Sequence, residues 1–306
     1  MNLTKLKIAL AFGVAVALVI GGVALLGTRN AGVLEGPPEA TEGSVPEKKE
    51  EPNATSVIPS VSKQAPAPAK EVIENEAAQK TRALIARAKE FLKDDPGREV
   101  FLCSADPCKI STQRFETKAD GYHLDCGGLT LAPQEGVRVG ISIAADGIII
   151  ENCGFQEFDT AIEIEGAGAV IVKNTITGSA GNGILLTGQK ALLFENTIEG
   201  NRGAGIFVAR ESNEHAIVDN VLRNNGTEGL HILGAGALTV IDNLITGNKS
   251  EGVWLSGNAR ENLLFENIIE ENGGECGVFL GTTGNESPVG NTMIDNTTDK
   301  KEVWCT

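Results

Sequence analysis

The sequence predicts an all-β solenoid, a parallel β-helix with coils of about 22–24 residues, and three observations predict it. Seven asparagines, each preceded by a charged residue, recur at Asn152, Asn174, Asn196, Asn220, Asn243, Asn267 and Asn296, in steps of 22, 22, 24, 23, 24 and 29 residues. A period of this length marks one short unit stacked on the next. Each unit carries three apolar runs of only a few residues, for example Val170-Ile171-Val172, Ile176 and Ile184-Leu185-Leu186. Such runs, rich in β-branched residues, are too short for helices and read as strands. Between them stand polar corners with Asn201, Asn225, Asn248 and Asn272, each followed by Gly205, Gly229, Gly252 or Gly277. Asn and Gly suit corners because they tolerate positive φ. Stacked coils sit ~4.8 Å apart, so the repeated asparagines are expected to form an internal amide ladder.

Five segments follow in order. Residues 1–29 carry an apolar stretch of 20 residues, 8–27, behind Lys5 and Lys7. That length spans a bilayer with its positive end inside. Its exit, Ala24-Leu25-Leu26-Gly27-Thr28-Arg29, lacks the small-x-small pattern of a cleaved signal peptide. A single-pass membrane anchor is expected, with a secreted form as the alternative, and either one places the rest outside the cytoplasm. Residues 30–70 hold seven prolines among Glu, Lys, Ser and Ala, a linker that cannot bury a core. Residues 71–95 show helical spacing of Val72, Ile73, Leu84, Ile85, Phe91 and Leu92. Solenoids need covered ends, so a capping helix is expected there. Residues 96–298 are the β-helix, and 299–306 a C-terminal tail.

The solenoid's text extends upstream through Leu124-Asp125-Cys126-Gly127-Gly128-Leu129-Thr130-Leu131, Gly140-Ile141-Ser142-Ile143 and Gly147-Ile148-Ile149-Ile150-Glu151-Asn152. These runs resemble the opening coils of right-handed parallel β-helix proteins of the NosD-like, pectin-lyase-like group, over about residues 99–298. The resemblance implies a right-handed solenoid and leaves function open, because the group includes lyases, hydrolases, epimerases, adhesins and accessory proteins.

Composition narrows the partners. Asp+Glu 41 against Lys+Arg 26 gives a formal charge of -15, which disfavours nucleic acid and anionic membrane surfaces. Six cysteines in an exported domain suggest disulfides. Cys103 and Cys108 close a short loop, Cys126 and Cys153 follow similar strands one coil apart, and Cys276 with Cys305 would tie the tail to a late coil. Free, buried cysteines are the other reading of the same six.

Two outward rows are candidate sites. In the third strand of successive coils, the residue between two inward positions is Glu163, Leu185, Phe207, His231, Trp254 and Phe279. An exposed apolar stripe of this length implies a partner, and Phe207, His231, Trp254 and Phe279 are the expected ligand-binding residues for an elongated polysaccharide. The competing reading is that the helix or the tail covers them. The residues before the asparagines, Glu151, Lys173, Glu195, Asp219, Asp242, Glu266 and Asp295, are six carboxylates and one lysine. Stacked carboxylates repel, and Ca²⁺ at Asp219, Asp242 and Glu266 would relieve that. A solvated charged row is the plain alternative.

No catalytic signature of the resembled group stands in this chain. Its Asp-Pro-His-Glu, Arg-Ile-Lys, Gly-His-Gly and Arg-x-Pro-x-x-Arg motifs are all absent. His231 has no carboxylate in its own row, His215 reads as part of a surface loop with Arg210, Glu211 and Glu214, and His123 has no evident partner. The expected function is therefore an envelope-anchored, non-catalytic module that binds polysaccharide. The alternatives are a polysaccharide lyase, hydrolase or epimerase, and a NosD-like scaffold for an envelope protein.

Overall fold

The computed structural model describes residues 67–95, 97–116, 121–282 and 288–306, with side chains described from residue 76 on, Ala77 excepted. The expected anchor and nearly all of the linker lie outside the described residues. Among the described residues no helix is long and apolar enough to cross a membrane.

The solenoid is present. Helix α1 (Ala67–Lys93) precedes three parallel sheets of nine strands each, and every strand pairs with its counterpart one coil away. The first sheet runs from Arg98–Val100 to Thr292–Ile294, the second from Cys108–Ile110 to Thr297–Thr298, the third from Gln113–Phe115 to Trp304–Cys305. The core is the column of inward side chains. In the first sheet Ile150, Ile171, Leu193, Ile217, Val240 and Leu264 stack in register and are fully buried. Each such side chain contributes about 1.5–3 kcal/mol of burial.

The asparagine ladder forms, with one correction. It runs Asn174, Asn196, Asn220, Asn243, Asn267, Asn296, and each Nδ2 donates to the next Oδ1 at 2.8–3.1 Å. At Asn220 the amide also donates to the Leu193 and Val218 carbonyls, both at 3.0 Å, while its Oδ1 accepts the Asn196 backbone N–H. Asn152 is not a member. It is exposed, has φ 56°, and occupies the left-handed corner that Lys173, Glu195 and Asp219 fill in later coils. Cys153 takes the ladder position instead, its N–H donating to Asn174 Oδ1. A cysteine there serves a different bond, to Cys126 on the coil below at a Cα separation of 4.8 Å. Cys103–Cys108 and Cys276–Cys305 are the other two disulfides.

A second ladder joins Asn201, Asn225, Asn248 and Asn272, and Asn262 bonds Asn291 at a third corner. The glycines after the second ladder are required by close approach. A Cβ on Gly229 would lie 2.4 Å from the Ile245 side chain and 2.9 Å from Asn248 Nδ2.

Helix α1 does not cap an end; it lies along the outer face of the first sheet. Ala78, Thr81, Leu84, Ile85, Ala88 and Leu92 are buried there, against Val170, Val172, Leu192, Phe194, Ala216, Val218, Ile241, Leu263 and Phe265. The physical reason is in the strands themselves. In Val170–Val172, Leu192–Phe194 and Leu263–Phe265 the residues on both sides of the inward one are apolar too, so this face needs a cover. The tail also departs from expectation. Trp304–Cys305 extends the third sheet as a further strand beside Val278 and Phe279 rather than folding across it.

Candidate functional site

With α1 on the first sheet and the tail at the edge of the third, neither segment expected to cover the aromatic row does so. The register of that row is the expected one: Glu163, Leu185, Phe207, His231, Trp254, Phe279 are consecutive partners. All six side chains are half-buried. Their rings, however, do not all face outward. His231 and Trp254 stack on one another, centroids 4.4 Å apart and planes 16° apart, so they spend those faces on each other. Phe207 meets His231 edge-on at 4.9 Å and 70°, and Phe279 is tilted 51° from Trp254 at 6.2 Å. The stripe is a self-stacked ridge, with Phe207 and Phe279 at its ends carrying faces that no stacked ring occupies.

His231 has partners that its row does not show. Its Nε2 lies 2.8 Å from Ser256 Oγ, and its Nδ1 lies 3.8 Å from Glu228 Oε2. Glu228 and Ser256 are both buried. Burial pushes the His231 imidazole below the usual histidine range, against the opposing pull of the Glu228 charge. The expectation that no carboxylate orients His231 is therefore corrected. Glu228 sits three residues upstream on the preceding corner, which the alternation of the strand alone does not place beside the ring.

The charged row is less open than expected. Arg82 of α1 donates to Asp242 at 3.0 and 3.1 Å and to Glu266, and Lys89 pairs with Glu195 at 2.6 Å. Arg82 thus sets a positive charge against Asp242 and Glu266. Among the described residues no group of three or more His, Cys, Asp or Glu is arranged to hold a metal ion. Asp219 remains exposed at its corner with φ 54°.

Glu151, expected to point to solvent, is buried. It pairs in register with Val172, not with Lys173. His123, expected to lack a partner, lies between Asp95 Oδ2 at 3.0 Å and Glu151 Oε2 at 3.1 Å. Arg98 and Lys173 also reach Glu151, at 3.3 Å each. Burial raises the Glu151 carboxyl, but the His123 and Lys173 hydrogen bonds and the Lys173 and Arg98 charges outweigh it and hold it below the ordinary glutamate value. This network locks the end of α1 to the first coils.

His215 is not on a surface loop. It is fully buried at the corner between the third and first sheets, where Nδ1 accepts the Ala191 N–H at 3.0 Å and Nε2 faces Ser212 Oγ at 2.8 Å. Burial drives its pKa down to about 3, so it stays neutral and serves the corner.

Known proteins agree with the architecture. A family model described as right handed beta helix region matches residues 134–269. No curated protein matches the sequence. Among solved structures, the periplasmic alginate epimerase AlgG is 15% identical with a TM-score of 0.50, over 58% of this chain and 50% of that one. The Azotobacter vinelandii mannuronan C-5 epimerase AlgE4 A-module is 11% identical with a TM-score of 0.46, over 69% and 87%. The catalytic domain of a GH87 alpha-1,3-glucanase in complex with nigerose is 11% identical with a TM-score of 0.34, over 68% and 54%. The chain spans half the length of AlgG, and identity at this level speaks for the fold alone.

Proposed function

We propose that this chain, a right-handed parallel β-helix protein, binds an elongated polysaccharide along its third sheet, outside the cytoplasm. One observation carries the reading. The molecule has two outer apolar faces: the first is sealed by α1, while the second, from Leu185 to Phe279, is crossed by neither α1 nor the tail. An apolar ridge of several coils that neither of these described segments covers marks an interaction site.

The ridge follows the solenoid axis, so each coil offers an extended polymer a similar surface ~4.8 Å further on. Phe207 and Phe279, half-exposed at the two ends of the stacked rings, and the edges of His231 and Trp254 supply its apolar contacts. The polysaccharide class is supported at the level of fold by AlgG, whose name states that it acts on alginate. Three disulfides fit an oxidising compartment, and the apolar stretch 8–27 would hold the module at the membrane.

The test is retention of the full chain on a panel of insoluble polysaccharides and cell walls, with calcium or with EDTA. Selective retention that falls with Phe207→Ala and Phe279→Ala is the expected result. Equal retention of these variants, or none on any matrix, removes the third sheet as a polysaccharide site, and loss with EDTA alone would point to Ca²⁺ at Asp219, Asp242 and Glu266.

A further inference from the structure

Two serine–histidine pairs stand among the described residues, one fully buried at His215 and one half-buried at His231, and they are wired in opposite senses. At His215 a backbone N–H points at Nδ1, so that nitrogen carries the lone pair. The proton is on Nε2 and is donated to Ser212, whose own hydroxyl is committed to the Gly188 carbonyl at 2.8 Å. Ser212 is a relay in a structural corner. At His231 the arrangement is reversed. Nδ1 faces the Glu228 carboxylate, which favours the proton on that nitrogen. In that tautomer Nε2 turns its lone pair toward Ser256 Oγ, 2.8 Å away, and accepts from the hydroxyl. A buried carboxylate, a correctly tautomerised imidazole and a hydroxyl in line are the parts of an activated serine nucleophile.

We propose that Glu228, His231 and Ser256 form an acyl-transfer site that hydrolyses esters, the class carried by polysaccharides as O-acyl groups. The polymeric substrate rests on the binding reading above; the ester chemistry does not. Ser256 Oγ bonds to the ester carbonyl carbon as its proton passes to His231 Nε2, and the carbonyl electron pair moves onto oxygen. Collapse of this adduct breaks the bond to the alcohol oxygen, which leaves with the proton from His231. Water then adds to the acyl carbon and gives its proton to His231. The second collapse releases the carboxylic acid and returns the proton to Ser256 Oγ. Water is the only co-reactant. Glu228 stabilises the imidazolium in both halves. The Arg210 guanidinium brings a positive charge to the next corner, its nitrogens 3.4 and 3.5 Å from where β-carbons on Gly234 and Gly257 would stand.

Access is controlled by Trp254. Ser256 is only 1% exposed. It pairs in register with Gly281, and the Trp254 indole lies against that glycine, with Nε1 2.4 Å from where a β-carbon would be. Among the described residues the buried indole N–H has no hydrogen-bond partner. A buried N–H without a partner costs about 1–3 kcal/mol, which offsets part of what the stack on His231 contributes to the closed position of this ring. Trp254 is the lid, and outward rotation bares Ser256 and satisfies the indole in water.

The experiment is labelling of the full chain with a fluorophosphonate, read by peptide mass spectrometry. The label is expected on Ser256, faster in Trp254→Ala, absent in Ser256→Ala, and slowed by about 10²-fold or more in His231→Gln. Circular dichroism melts establish that each variant is folded, and Trp254→Phe replaces Trp254→Ala if the latter is not. No label on Ser256 in the parent or in either Trp254 variant overturns the site. Labelling at a rate indifferent to His231→Gln overturns it as well. Retention on polysaccharide is scored separately: a chain that binds without labelling loses only this proposal, and one that labels without binding loses only the binding reading.

Discussion

The outer faces of the first and third sheets are built on the same repeat and meet opposite fates. On the first, Val170, Val172, Leu192, Phe194 and their successors form two apolar rows flanking each inward residue, and α1 buries them. On the third, a single row from Leu185 to Phe279 stays half-exposed, its rings stacked along the row, and neither α1 nor the tail crosses it. Two rows make a strip wide enough for a helix whose buried positions, Ala78, Thr81, Ile85, Ala88 and Leu92, recur at three- and four-residue steps. One row makes a ridge, suited to something narrow and long. The lesson is that apolar content alone does not mark a binding face in a solenoid; the width of the apolar strip and the presence of a cover do.

The strongest way to break the comparison is to strip the cover. Leu84→Ala with Leu92→Ala removes two buried side chains, each worth about 2–5 kcal/mol, and a combined loss near 5 kcal/mol is expected in urea melts. Binding of a hydrophobic dye should rise while polysaccharide retention by the folded fraction is unchanged. A loss of retention in step with dye binding would mean that the ligand site is under the helix.

Acid tests the corner between the two faces. His215 has a native pKa of about 3 against an ordinary 6.5. Below 6.5 the unfolded chain takes up a proton that the native corner refuses. The stabilisation is therefore intact above 6.5 and is lost as pH falls from 6.5 to 3, on the order of 5 kcal/mol in all. Glu151, held low by its partners, adds a loss of the same sign as pH falls through its native value. His215→Gln should flatten the first part of the curve and leave the second. An unchanged acid limb would show that His215 is not buried neutral.

On the third sheet, Trp254→Ala should cost less than about 2 kcal/mol, since the ring is half-exposed, yet weaken polysaccharide retention. The smallest effect belongs to Arg82→Ala. Its bonds to Asp242 and Glu266 are at the surface, and a loss below about 1 kcal/mol that vanishes in high salt is expected from melts at two ionic strengths.

Much of this architecture was legible in the residues. The asparagine period, the inward column and the order of the aromatic row follow from alternation alone, because stacked coils repeat one strand's geometry. The error at Asn152 has a simple cause: Glu151-Asn152 copies the charged-Asn text of later coils one position early, and Cys153 stands in the true ladder place. The cover of the first sheet was also written there, in Leu192-Leu193-Phe194 and Leu263-Leu264-Phe265, where both flanks of the inward residue are apolar. What alternation did not reveal were contacts across corners. Glu228 reaches His231 from a corner that turns at the left-handed Asn224, and Asp95 reaches His123 from the segment that follows α1, so strand period places neither contact.

The most direct test of the account is oxidative footprinting of the full chain, free and with a retained polysaccharide, read residue by residue. The account predicts that Phe207, Trp254 and Phe279 oxidise in the free protein while Phe194 and Phe265 under α1 do not, and that the polymer protects only the first three. Third-sheet rings as protected as Phe194 before any ligand is added, or unprotected by a polymer that is bound, would contradict it.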